Sequence, residues 1–242
     1  RDDAMKAAAD DPSKQENYLF YSTNAGALHA VDASNGDEKF AFIPKEMLPL
    51  LPKTMNVPAW TGAASRIYGL DSTWLSWRHD ANKDNDLKDS GDWSYLYGGM
   101  RMGGSNYYAL DVTNLSSPTI KWTIKGALAG GFNTTTDSSN YKVYRPFTVA
   151  TVPTGAYAWM GQTWSKPTLA YIALNDGTGN EVGRTVLVFG GGYDPTNETT
   201  PYLSGTSTIT PASTFGTDAY GHQLYIVDAK TGNLLFWASG GS

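Results

Sequence analysis

The sequence predicts an all-β chain of antiparallel sheets, on three observations. Short runs rich in Tyr, Phe, Val, Ile and Trp alternate with turn signals along most of the 242 residues. Glycine supplies 26 residues and aromatic side chains 13%, while charged residues are only 17%, a balance that favours strands and tight turns over long surface helices. One hairpin unit also recurs three times.

The elements follow in order. Residues 1–17 are Ala-rich and acidic and read as a lead segment or linker, because so few apolar side chains cannot build a core. Tyr18 to Thr23 is a β-rich run, and Asn24-Ala25-Gly26 turns the chain. Leu28 to Ala33 is the next strand. Asn35-Gly36 is a hairpin signal, since both residues tolerate positive φ, and Glu38 to Pro44 is the return strand. Lys45 to Leu51 is the one helical stretch, limited to a turn or two by Pro49 and Pro52. Further strands are expected within Ser65 to Arg78, Trp93 to Met100, Tyr107 to Ile124, Lys142 to Pro153, Lys166 to Asn175, Arg184 to Tyr193 and Leu224 to Ala238. Long polar loops occupy 130–140 and 194–221.

The recurring unit is an apolar pair, then Val31-Asp32, Leu110-Asp111 or Val227-Asp228, then a turn and a strand bearing Phe40, Trp122 or Trp237. Gly36 and Gly232 hold equivalent turn positions, and Asn114 to Pro118 is a longer connection in the middle copy. Each Asp reads as a local acceptor for turn N–H groups. The Asp residues stand 79 and 117 residues apart. A propeller blade repeats at about 40–50 residues, so this spacing suggests blades with insertions.

Composition excludes several classes. No stretch reaches the ~18 apolar residues of a membrane helix. A net charge of -5 with dispersed Lys and Arg gives no footprint for nucleic acid. The absence of Cys excludes disulfides and thiolate chemistry. The chain opens on Arg1 without a signal peptide and reads as a piece of a longer polypeptide. Catalytic constellations are poor. His29, His79 and His222 are dispersed, no G-x-S-x-G occurs, and Gly190-Gly191-Gly192 lacks the third glycine of a dinucleotide fingerprint.

The sharpest chemical signal lies between His79 and Trp93. Asp80, Asn82, Asp84 and Asp86 fall at positions 1, 3, 5 and 7 of a calcium-loop pattern. Alternate oxygen-bearing side chains on a coiled loop converge on one centre, which suits the hard Ca²⁺ ion. Asn85 stands at the glycine position and Gly91 where the closing Glu would be, so Asp89 or Asp92 must supply the closing carboxylate. The expected cofactor is Ca²⁺, and the alternative is a solvated acidic loop. Trp60, Trp74, Trp77 and Trp159 either fill the sheets or stack on sugars.

Five strings together resemble the C-terminal domain of the PilC/PilY family. They are NAGALHAVDASNGDEKFAFIP (Asn24 to Pro44), IYGLD (Ile67 to Asp71), YLYGGMRMGGSNYYALDVTN (Tyr95 to Asn114), GQTWSKPTLAYI (Gly161 to Ile172) and VLVFGGGYD (Val186 to Asp194). The resemblance implies a modified, quinoprotein-like β-propeller, of which 18–242 would hold the N-terminal portion, about three to four blades. It implies a non-enzymatic adhesin and assembly factor at the pilus tip or outer surface of a Gram-negative bacterium, exported through the periplasm. That role supports type IV pilus extension, attachment and twitching motility. The implied partners are minor pilins of the pilus tip, the remainder of the same polypeptide and a host or abiotic surface ligand, with no nucleic acid and no membrane insertion. LYIVDAKTGNLLFW (Leu224 to Trp237) also resembles the repeat of quinoprotein dehydrogenases, so a fragment of such an enzyme, dependent on pyrroloquinoline quinone, is the second reading. A carbohydrate-binding propeller is the third.

Overall fold

The computed structural model describes residues 16–52, 68–83, 87, 90–126, 142–145, 148–151, 156–175, 179–194 and 220–239. Among them the chain is all-β, as expected, with four antiparallel sheets and a few short 3₁₀ segments. The first sheet is β1 (Tyr18–Ser22), β2 (Leu28–Asp32) and β3 (Glu38–Phe42). The second is β4 (Leu75–His79), β5 (Trp93–Gly99), β6 (Asn106–Asp111) and β7 (Thr119–Lys125). A two-stranded sheet follows, β8 (Lys142–Arg145) and β9 (Thr148–Thr151). The last is β10 (Thr168–Asn175), β11 (Glu181–Gly190), β12 (Gln223–Asp228) and β13 (Leu234–Ser239). Neighbours in each sheet are neighbours in sequence, so every sheet is a meander.

Three expectations change in detail. Lys45–Leu50 is a 3₁₀ segment, as the proline at 49 dictates. Among the described residues, the strand expected within Ser65 to Arg78 forms over Leu75–His79, and 68–74 run without regular structure because they cross between the first two sheets. The segment Lys142 to Pro153 splits into β8 and β9, which pair with each other. The lead segment 1–15 lies outside the described residues.

The repeated hairpin is reproduced in fine detail. In β3, β7 and β13 one extra residue, Lys39, Lys121 and Leu235, bulges out of the pairing just before the Asp of the partner strand, opposite Ala30 and Val31, Ala109 and Leu110, and Ile226 and Val227. The Asp then organises the turn. Asp32 Oδ1 accepts the N–H and hydroxyl of Ser34 at 2.9 and 2.6 Å, which hold its carboxyl below the usual carboxylate range. Asp111 Oδ1 does the same with Thr113, and Asp228 Oδ1 accepts the N–H groups of Lys230 and Thr231. Gly36 and Gly232 adopt φ +83° and +71° and donate to the Asp carbonyls, as the Asn-Gly and Thr-Gly turns require. The register corrects one equivalence. Phe40 faces Ala30 and Trp122 faces Ala109, but the matching partner of Ile226 is Phe236. Trp237 is one residue further on and turns to the opposite face of its sheet.

These sheets enclose two apolar clusters. Leu28, Met47, Leu70, Leu96, Met100, Tyr108, Leu110 and Val112 join Phe20, Phe40 and Phe42 between the first and second sheets. Tyr95, Tyr97, Tyr107, Ile124, Leu187, Phe189, Tyr225, Val227 and Leu234 do so between the second and last. Buried phenols bond across these layers. Tyr97 donates to the Ala229 carbonyl, Tyr107 to Ser165, Tyr225 to Ala156 and Tyr108 to the Glu46 carboxylate, at 2.6–2.9 Å. Burial of a phenol is tolerated because each hydroxyl has an acceptor.

Candidate functional site

Two places combine polar chemistry with backbone strain. Among the described residues, the non-glycine positions with positive φ are Lys83 at 63° and Arg101 at 54°. Such conformations persist where the surroundings enforce them.

Lys83 lies in the acidic loop. His79 pairs with Trp93 at the open end of β4 and β5, so residues 80–92 form the connection of that hairpin. Asp80 Oδ1 accepts the N–H of Lys83 at 2.5 Å. Asp92 is buried, and its Oδ1 accepts the N–H of Ala81 at 2.8 Å. Thus the two carboxylates at the mouth of the loop fold onto its backbone, with Asn82 exposed between them. Asp84, Asp86 and Asp89 lie outside the described residues. Among the described residues no three carboxylate or imidazole groups gather in a metal-holding cluster. The donor set remains all oxygen, which suits Ca²⁺ rather than a softer ion. Beneath the loop is a pile of rings. His79 stacks on Trp93 at 5.1 Å, Trp93 on Tyr95 at 4.2 Å, and Trp77 meets Trp93 edge-on at 4.3 Å. Lys121 and Lys230 lie over Tyr95 and Trp93 at 4.0 and 5.2 Å.

Arg101 lies where turns from three sheets meet. Its guanidinium pairs with Asp71 Oδ2 at 3.2 Å and covers the Trp164 ring at 4.6 Å. Asp71 Oδ1 also accepts the N–H of Met102 at 3.1 Å. The hydroxyl oxygen of Thr163, fully buried, accepts the N–H groups of Met100 and Arg101 at 2.7 and 3.1 Å. Gln162 donates to the Met102 carbonyl, and Leu70 donates to the Thr23 carbonyl. Close backbone approach demands glycine here, since a Cβ on Gly103 would stand 1.7 Å from the Gly69 carbonyl oxygen. This junction fixes three turns against each other. Asp71, Arg101, Thr163 and Trp164 were not singled out by motif chemistry, although all four stand in or beside the family-like strings.

The remaining candidates are dispersed. His29 Nδ1 is 2.6 Å from Glu38 Oε2, and its ring stacks on Tyr21 on the outer face of the first sheet. Trp74 and Trp77 fill the two clusters, whereas Trp159 is half exposed. Trp60 lies outside the described residues.

No family model matches the sequence. A type IV pilus biogenesis factor PilY1 homolog from Xylella fastidiosa is 29% identical over 121 residues, 48% of this chain and 9% of that protein. PilY1 from Pseudomonas aeruginosa strain PAO1 is 31% identical over 107 residues, 44% of this chain and 8% of that protein. Over those stretches the chain is similar to the two PilY1 proteins. It spans less than a tenth of the length of these PilY1 relatives. The crystal structure of the Pseudomonas aeruginosa PilY1 C-terminal domain aligns with a TM-score of 0.43 and 20% identity, over 90% of this chain and 29% of that domain.

Proposed function

We propose that the chain is part of a non-enzymatic type IV pilus biogenesis factor and adhesin, supporting pilus extension, surface attachment and twitching motility. The observation that carries this reading is the 31% identity to PilY1 over 107 residues. The repeated hairpin supports a propeller. Three meanders carry the same bulge and the same Asp turn, and they stack through their faces, which is how blades are arranged around a ring. In this reading 1–17 lead into a partial propeller over 18–242, completed by the rest of a longer polypeptide. Pilus components and a surface ligand are its partners, and the outer surface or pilus tip of a Gram-negative cell is its location. Asp80, Asn82, Asp84 and Asp86, closed by Asp89 or Asp92, form a Ca²⁺ loop that stiffens the β4–β5 hairpin.

In-frame removal of 18–242 from the parent gene tests the reading. The expected result is loss of surface pili and twitching, restored by the intact gene. Unchanged piliation and motility would overturn it, and dye reduction by the purified chain with pyrroloquinoline quinone and Ca²⁺ would favour the quinoprotein reading instead. The half-exposed Trp159 favours a sugar-stacking contribution to adhesion, which glycan binding abolished by Trp159→Ala would support.

A further inference from the structure

We infer that the exposed indole of Trp164, with the Arg101 guanidinium laid over it, is a binding site for an acidic saccharide, a sugar ring that carries a carboxylate. The inference rests on the adhesin reading above and names the chemical class of its surface ligand.

The first observation is where the tryptophans stand. Trp74, Trp77, Trp93, Trp122 and Trp237 belong to the two apolar clusters, whereas Trp164 is 42% exposed. An indole left half in water gives the fold little burial, yet this one is fixed from several sides. Its Nε1–H donates to Gln162 Oε1 at 3.2 Å, the Arg101 guanidinium carbon is 4.6 Å from its ring centroid, and the Tyr193 ring is 5.4 Å away. The backbone on either side is locked. The Thr163 N–H donates to the Gly104 carbonyl, the Ser165 carbonyl accepts the Tyr107 hydroxyl, and Ser165 Oγ accepts the Gly190 N–H, at 2.6–3.1 Å. A ring held in one orientation before solvent loses little freedom when a ligand stacks on it. Its flat apolar face suits the C–H face of a sugar.

The second observation is the balance of donors and acceptors beside the ring. Arg101 carries five N–H donors, and 42% of its side chain is exposed. Asp71 engages Nη1 alone, which leaves the Nε and Nη2 edge of the fork. The acceptors nearby are engaged. Asp71 is turned inward, its side chain 14% exposed, and receives Arg101 on one oxygen and the Met102 N–H on the other. Gln162 Oε1 receives the indole N–H, while its Nε2 donates to the Met102 carbonyl. What faces outward is a cation with unused donors at a fixed aromatic ring, so the ligand must bring acceptors. A carboxylate meets a guanidinium edge with two parallel bonds. An acidic sugar thus satisfies both the ring and the charge, and a neutral sugar only the ring.

The third observation is strain. Arg101 holds φ +54° between Met100 and Met102, where glycine would be unstrained. Strained backbone clusters where a side chain is held for a ligand.

Calorimetric titration of the full chain tests this, without Ca²⁺ so that no ion bridges ligand and protein. Trigalacturonate is compared with its methyl ester, and 3′-sialyllactose with lactose, which separates uronic from sialic acids. At least one acid should bind about 10-fold more tightly than its neutral counterpart. Arg101→Gly, which relieves the strain, should abolish that preference. Trp164→Ala should weaken binding about 10-fold, and Trp164→Tyr, which keeps a stacking ring, less. Trp159→Ala should leave binding unchanged, and thermal unfolding confirms that each variant is folded. Equal binding of acid and neutral forms, undiminished binding by folded Arg101→Gly, or no binding of either acid would overturn the inference. Tetraglutamate bound as tightly as the sugar would overturn it too, in favour of a peptide clamp. Binding lost only in Trp159→Ala would overturn this site and keep sugar stacking in adhesion. Piliation and twitching are scored separately, so a failure here leaves the pilus reading standing.

Discussion

The indole N–H of Trp122 donates to the backbone carbonyl of Ala229 at 3.2 Å, and the Tyr97 hydroxyl donates to the same oxygen at 2.9 Å. One carbonyl in the turn of the last sheet thus ties down two side chains of the second. The turn is pressed against the indole, for a Cβ on Gly232 would stand 2.7 Å from Trp122 Cγ.

Removing either donor leaves the carbonyl satisfied by the other. Trp122→Phe and Tyr97→Phe should each cost about 1 kcal/mol in denaturant unfolding of the chain. The double variant leaves a buried acceptor without a partner and should cost more than both together, by about 1 kcal/mol. Additive losses would show that the two bonds do not share the load. Gly232→Ala should cost about 2–3 kcal/mol through its φ of +71° and the indole contact, and less in a Trp122→Leu background, where the ring is gone.

Arg101 should separate strain from contact. Its αL backbone costs about 1 kcal/mol relative to glycine, while its side chain holds Asp71 and Trp164. Arg101→Ala keeps the strain and loses both contacts, and Arg101→Gly loses the contacts but relieves the strain. The alanine variant should therefore be the less stable by about 1 kcal/mol in chemical denaturation. Equal stabilities would mean that the backbone relaxes once the guanidinium is gone.

If the acidic loop takes Ca²⁺, the ring pile beneath it should report binding. Trp93 follows Asp92 directly and stacks on Tyr95, so titrating Ca²⁺ should change tryptophan fluorescence. Ca²⁺ at 100 times its Kd should raise stability by about 2.7 kcal/mol. Asp80→Asn and Asp84→Asn should weaken both responses, and Mg²⁺ should not reproduce them because it resists dehydration. An unchanged Tm and emission at millimolar Ca²⁺ would leave the loop as a solvated acidic turn.

What was legible in the sequence is what is local. Asn35-Gly36 and Thr231-Gly232 announce their turns, and Asp32, Asp111 and Asp228 bond within two or three residues of themselves. Their role as turn acceptors follows from side-chain reach alone. The choice between Phe236 and Trp237 was not legible, because a bulge shifts the pairing and only the register reveals it. Nor was the Arg101 junction. Asp71, Arg101 and Thr163 belong to different turns, and no periodicity connects groups brought together by the stacking of sheets. For the acidic loop, spacing suggested the donors, and the structure adds that Asp80 and Asp92 bond to the loop backbone at its mouth.

Alkaline pH should unfold the chain through its buried phenols. Burial raises the pKa of Tyr97, Tyr107, Tyr108 and Tyr225 well above the ordinary 10.0. A group whose folded pKa is raised gives stability that is fully present below its unfolded pKa and is lost as pH rises towards the folded value. The denaturation midpoint should therefore be flat to about pH 9 and fall beyond about pH 10. Spectrophotometric titration should show these four phenols ionising together with unfolding. Tyr225→Phe removes one such group, although it leaves the Ala156 carbonyl without its donor. That variant should be less stable at neutral pH yet lose stability less steeply above pH 10. A parallel pH profile for variant and parent would assign the alkaline transition to other groups.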